Sequence, residues 1–139
     1  MSENLLKGKK PFKVTEELRR KVIEEIRETL KTVEEISLAV IFGSFTNKKH
    51  ARDIDIAIYL NKQVNLNQAL EYAEKITKKL QEKIKLPIDI TILNIADEPI
   101  LIRAILKGKP IIVKNQKLYQ SLKLLATEVK NRFILKTPK

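Results

Sequence analysis

A chain of 139 residues, 43% of them hydrophobic, is long enough for one domain with a buried core. It has no cysteine and one histidine, which excludes disulfides, thiolate metal sites and His-rich zinc chemistry, so any metal must be held by oxygen, as Mg²⁺ or Mn²⁺ is. A formal charge of +11 raises nucleic acid as a partner, but Lys and Arg are spread over both tails, the helices and the loop after Gly43, and four Phe and three Tyr cannot supply the aromatic interleaving of a single-strand binder.

Residues 1–13 carry several lysines and few apolar anchors and read as a flexible basic arm. From Thr15 to about Val33, the apolar positions Leu18, Val22, Ile26 and Leu30 recur at helical spacing, with Thr15 as N-cap and Glu16 and Glu17 at the positive helix end. Ile36 to Phe42 is a short branched apolar run that ends at Gly43, a buried strand followed by a sharp turn, and Ser44 to Arg52 continues as a polar turn or short helix. Arg52 to Leu60 alternates as a second strand, and Asn61 to Asn65 is a loop. Leu66, Ala69, Leu70, Ala73, Ile76, Leu80 and Ile84 mark a second amphipathic helix that ends before Pro87. Ile88 to Ile95 is a third strand, Asp97 to Lys107 a short helix closed by Gly108, Pro110 to Val113 a fourth strand and Gln116 to about Phe133 the last helix.

No internal repeat, low-complexity block or interdomain linker interrupts this order. Strands alternating with helices imply an α/β (α+β) fold, a mixed sheet with helices packed on one face and an open, carboxylate-bearing face in front. No stretch approaches the roughly 20 apolar residues of a membrane span, and Met1-Ser2-Glu3-Asn4 lacks a signal-peptide pattern, so the expected location is cytoplasmic, away from membranes.

The chemistry concentrates in three short segments. In Arg52-Asp53-Ile54-Asp55-Ile56, strand periodicity turns both aspartates to one face with Cα atoms about 6.6 Å apart, while isoleucines fill the other face. Two carboxylates that close repel unless a cation or proton intervenes. Asp89 opens the alternating run of the third strand and adds a carboxylate able to complete a metal shell or to accept the proton of an attacking hydroxyl. Gly43 allows close approach of an anion to the backbone, and Ser44 adds a hydroxyl donor. Gly8 lies in the arm and Gly108 ends a helix, so Gly43 is the glycine that asks for a functional explanation. Neither a GxxxxGK[ST] loop nor a GxGxxG fingerprint occurs, so a bound nucleotide needs another cradle. An Asp-x-Asp alone is more often plain solvent-facing alternation; its coincidence with Gly43-Ser44 and Asp89 reverses that balance. His50, in a lysine-rich loop, is set aside as solvated, and Tyr59 as a packing residue at the strand end.

Phe42-Gly43-Ser44, the following polar loop, Asp53-Ile54-Asp55 and Ile88-Asp89-Ile90 together resemble the GS…DxD…D signature of the polymerase β-like nucleotidyltransferase superfamily. Within it, the chain is similar to the minimal nucleotidyltransferases (MNT), which consist of little more than the catalytic palm. The resemblance implies a nucleotidyltransferase domain over residues 14–135, with triphosphate held at Gly43 and Ser44 and metal, two Mg²⁺ ions, held by Asp53, Asp55 and Asp89. It also implies transfer of a nucleoside monophosphate, AMP from ATP, to a hydroxyl of a protein partner. The partner implied is a helical HEPN protein, the chain being the antitoxin of a toxin–antitoxin pair; a homodimer is left open. The loop here is shorter than the family pattern, lacks its second glycine and has Arg52 in place of a serine, which leaves Lys48, Lys49 or Arg52 to pair with phosphate oxygens. Two other readings compete: a palm-fold protein with little catalysis that neutralises its HEPN partner by contact, and, least favoured, a basic nucleic-acid-binding module.

Overall fold

The computed structural model describes residues 10–136, with side chains to residue 132. Helix α1 (Glu16–Leu30) begins where the Thr15 hydroxyl accepts from the Leu18 amide at 3.0 Å, and it buries Val22, Ile26 and Leu30, one turn apart on a single stripe. Strand β2 (Ile36–Phe42) is buried along its whole length. Strand β4 (Ile54–Leu60) lies antiparallel to it, and β5 (Ile88–Ile92) lies parallel to β4. A parallel neighbour requires a crossover, supplied by α2 (Leu66–Gln81). That helix starts with a reciprocal capping box, the Gln68 amide on Asn65 Oδ1 and the Asn65 amide on Gln68 Oε1. Helix α3 (Glu98–Lys107), capped by Asp97, runs through Gly108 into β6 (Lys109–Val113), the outer partner of β2, and α4 (Gln116–Lys136) is the last described element. The sheet order is β5-β4-β2-β6.

The α/β fold with a mixed sheet is as the sequence implies; its layering goes further. On one face, Ile54, Ile56, Ile58 and Leu60 of β4 join Ile26, Leu30, Ile76 and Leu80 of α1 and α2 in one core. A second core fills part of the other face, where Leu38, Val40, Phe42 and Ala57 meet Leu101, Ala104 and Ile105 of α3 and Tyr119, Leu122 and Ala126 of α4. Helices therefore cover both faces of β2, contrary to the expected packing on one face. The cause is β2 itself, which from Leu38 to Phe42 is apolar on both sides, whereas β4 alternates. Gly108 is required by this second layer and not by a left-handed cap: its φ is −81°, and a side chain there would collide with the Ala104 carbonyl and the Val40 side chain.

Two further departures bear on the site. Phe12–Lys13 forms a short strand, β1, antiparallel to β3 (His50–Ala51), and the Phe12 ring lies 6.2 Å from that of Phe45; residues 1–9 of the expected arm fall outside the described residues. The third strand stops at Ile92, because Leu93–Ile95 turns and the Asn94 side chain bonds the Leu60 amide and carbonyl where a longer strand would have continued the ladder. Among the described residues, no helix is long and apolar enough to cross a membrane.

Candidate active site

The ladder between β4 and β5 sets the acids side by side. Asp55 and Asp89 are Cα partners across this parallel pair, and both point away from the isoleucines at positions 54, 56, 88 and 90. Asp53 stands just before β4 rather than within it, yet its side chain still reaches the same place. One carboxylate oxygen from each of Asp53, Asp55 and Asp89 lies within 4.8 Å of the other two. Asp53 and Asp55 are half-buried and already engaged by other groups of the chain, and Asp89 is exposed. Three hard oxygen donors, one side open to solvent, fit Mg²⁺ or Mn²⁺, which keep positions for water and phosphate oxygens. They offer no soft ligand for zinc.

Beside the acids, the chain leaves β2 through Gly43, whose φ of 82° is the one positive φ among the described residues. Its conformation (ψ −169°) is open essentially to glycine alone, and a Cβ there would run into the Asp55 carboxylate. Glycine at 43 is thus what lets Asp55 sit against the turn. The Ser44–Thr46 turn is held from several sides. Thr46 donates its hydroxyl to the Gly43 carbonyl at 2.7 Å, Phe45 is fully buried in the core, and the Lys48 amide bonds the Ser44 carbonyl at 2.9 Å.

Arg19, from α1, grips the same segment. Its Nε donates to the Phe45 carbonyl and its Nη2 to the Lys48 carbonyl, each at 2.9 Å, while Nη1 pairs with Glu16. A planar guanidinium can satisfy both carbonyls at once; an ammonium cannot reproduce that fork. Sequence reading missed Arg19, because partners 26 and 29 residues away leave no local signal.

A pocket of about 300 Å³ opens over Gly43 and Ser44, and its remaining wall carries Lys48 together with Arg103 and Lys107, one turn apart on α3. The Arg103 guanidinium sits 5.5 Å from the Phe42 ring centre, a cation–π contact that directs it over the end of β2. Ser44 also borders a second opening, of about 390 Å³, lined by Arg52 and Asp53. Of the three basic residues expected to serve phosphate, Lys48 lines the first opening and Arg52 the second; Lys49 lines neither and instead offers its carbonyl to the Val14 amide. Arg103 and Lys107 went unnoticed in the sequence, where they read as the polar face of a short helix.

The match to the family described as "Polymerase beta, Nucleotidyltransferase" spans residues 24–117, more than half of the chain and all five residues singled out in the sequence. The chain belongs to this nucleotidyltransferase family. Solved structures share the fold at low identity. A tri-AMPylated Shewanella oneidensis HEPN toxin in complex with MNT antitoxin is similar at a TM-score of 0.63 and 17% identity, covering 83% of this chain and 88% of that one. A toxin–antitoxin with AMP-PNP gives 0.61 and 19% over 83% and 88%, and the toxin–antitoxin MntA-HepT gives 0.57 and 17% over 83% and 86%. No curated protein matches the chain.

Proposed function

We propose that this chain transfers AMP from ATP to a hydroxyl of a protein partner and releases pyrophosphate. Asp53, Asp55 and Asp89 would hold Mg²⁺, which when bound neutralises charge on the attacking and leaving oxygens of a displacement at phosphorus. The observation that carries the reading is the direct apposition of Gly43 to Asp55 within the cluster of three carboxylates: it brings a triphosphate-sized opening and a metal-binding set together. Ser44, Lys48, Arg103 and Lys107 surround the β- and γ-phosphates and orient the α-phosphate toward the acids. The acceptor oxygen then attacks the α-phosphorus, the bond to the bridging oxygen of the β-phosphate breaks, and pyrophosphate departs. Asp89, the most exposed of the three, takes the acceptor's proton.

The partner assignment rests on fold likeness to MNT antitoxins solved with HEPN toxins, one of them carrying AMP. It is tested by mixing the chain, ATP, Mg²⁺ and a small helical partner and weighing that partner by mass spectrometry. AMP-sized increments that vanish with Asp53→Ala and Asp55→Ala support transfer. If the partner is silenced equally by the variants and no increment appears, neutralisation is by contact and the enzymatic reading fails.

A further inference from the structure

The two edges of the sheet are finished differently. Strand β6 closes one of them with Pro110, which has no amide to offer, and with Arg27, whose Nε donates to the Ile111 carbonyl at 3.4 Å. Strand β5 has neither device: Ile88-Asp89-Ile90-Thr91-Ile92 contains no proline or lysine, and among the described residues it pairs with β4 alone. The Ile54 amide bonds the Pro87 carbonyl at 2.9 Å, which fixes the phase of that ladder. Asp89 and Thr91 therefore turn their backbone groups toward β4, and Ile88 and Ile90 turn theirs outward. No described residue takes the outward amide and carbonyl of Ile90.

This open edge lies at one end of the site. Phe42 is the Cα partner of Asp55, and Asp55 that of Asp89, so the three stand in one line across β2, β4 and β5, about 4.8 Å per step. The basic opening lined by Phe42, Gly43, Lys48 and Arg103 lies at the β2 end of the line. Asp89 marks the other end, with the edge of β5 directly outside it. The front of β5 is free there: Asp89 is exposed, and no residue of β5 belongs to the second core. In a displacement at phosphorus the entering and leaving oxygens lie on opposite sides of the atom. Pyrophosphate leaving over Gly43, as proposed above, requires the acceptor oxygen to enter from the β5 side.

We infer that the edge of β5 docks the acceptor: an extended segment of the protein substrate adds to the sheet as a further strand, bonded to Ile88 and Ile90, with its hydroxyl-bearing residue opposite Asp89. The inference rests on the transfer reading and adds to it the form in which the acceptor is presented. Whichever way the segment runs, the residue opposite Asp89 projects its side chain on the face of the carboxylates, with Cβ atoms about 5 Å apart. Its hydroxyl then lies within reach of the Asp89 carboxylate that takes the proton. Backbone hydrogen bonds hold the segment, and its alternate side chains give selectivity. The formal charge of +11 favours an acidic segment.

The test uses the full-length chain and a short synthetic peptide of alternating threonine and valine, with glutamates at both ends and one central tyrosine. Binding is read by backbone amide NMR without nucleotide, and transfer by mass spectrometry of the peptide with ATP and Mg²⁺. The expected results are saturable shifts at the Ile88 and Ile90 amides, and an AMP-sized increment that a phenylalanine counterpart of the peptide does not gain. N-methylating alternate peptide residues should abolish binding in one phase and spare it in the other, since every second residue faces β5. Ile90→Pro removes the outward amide and leaves the ladder to β4 intact. It should weaken peptide binding at least about tenfold relative to Ile90→Ala, which also loses the isoleucine side chain but keeps the amide. Absence of saturable shifts at Ile88 and Ile90, equal binding of the two N-methylated peptides, or Ile90→Pro binding as well as Ile90→Ala overturns the docking edge. An increment that survives Ile90→Pro unchanged keeps transfer and overturns the edge, whereas shifts at β5 with no increment keep the edge as a strand-binding surface and overturn the transfer reading.

Discussion

The two faces of β4 differ in what they do, although they alternate residue by residue along the same seven positions. Ile54, Ile56, Ile58 and Leu60 are at most 1% exposed and lie in the core beneath α1 and α2. Asp55, Ala57 and Tyr59 look the other way: Ala57 is fully buried and Tyr59 packed under the α3–α4 layer, while Asp55 meets the carboxylate site. One face is packed along its whole length, while the other passes from the second core at Ala57 and Tyr59 to charge at Asp55. Because the period of a strand is two, a substitution one residue along should move the damage from chemistry to folding.

The sharpest way to break that contrast is to compare neighbours. Asp55→Asn removes a negative donor from the proposed metal set and should lower the proposed AMP transfer by about 10³-fold, about 4 kcal/mol in the barrier, while shifting the melting temperature less than its neighbour does. Ile56→Ala empties a fully buried site and should cost about 3 kcal/mol of stability by denaturant melting, with transfer per folded molecule retained. If Ile56→Ala abolishes transfer in folded protein, or Asp55→Asn unfolds the chain, the division between the faces is wrong. Gly43→Ala lies between them. Its Cβ meets the Asp55 carboxylate and its φ of 82° is strained for any other residue, so it should lose about 2 kcal/mol of stability and also most of its transfer activity. Stability and activity falling together there would mark the seam where the two roles join.

How much of this the sequence reveals follows the range of the interactions. The strands, helices and caps are local: Thr15, Asn65 and Asp97 each cap a helix through an amide three residues on. The acids are legible because strand periodicity turns them to one face, and Gly43 because scarcity and its place after an apolar run single it out; the parallel pairing and the φ of 82° appear in the structure alone. Long-range features are not legible. Nothing near residue 103 says that α3 folds over the end of β2, since that depends on β2 being apolar on both sides and on Gly108 letting the helix approach. The strand at Phe12–Lys13 is hidden for a similar reason: its partner, His50–Ala51, lies in a segment that reads as a polar loop.

Arg19 gives the smallest effect and the finest test, because it belongs to the stable face by position and to the chemical face by contact. It grows from α1, yet its guanidinium ends on the carbonyls of Phe45 and Lys48 that frame the Ser44 turn. If it acts as a positioning residue, Arg19→Lys should reach one carbonyl at a time and let the turn drift. The KM for ATP should then rise by about fivefold while kcat changes little, with a stability loss within about 1 kcal/mol. Arg19→Gln should raise KM further, and Lys should restore part of it, an ordering that lost packing alone does not produce. A fall in melting temperature with kinetics unchanged would make Arg19 a structural tie between α1 and the turn, and would leave the geometry of the opening over Ser44 to Gly43, Thr46 and the buried ring of Phe45.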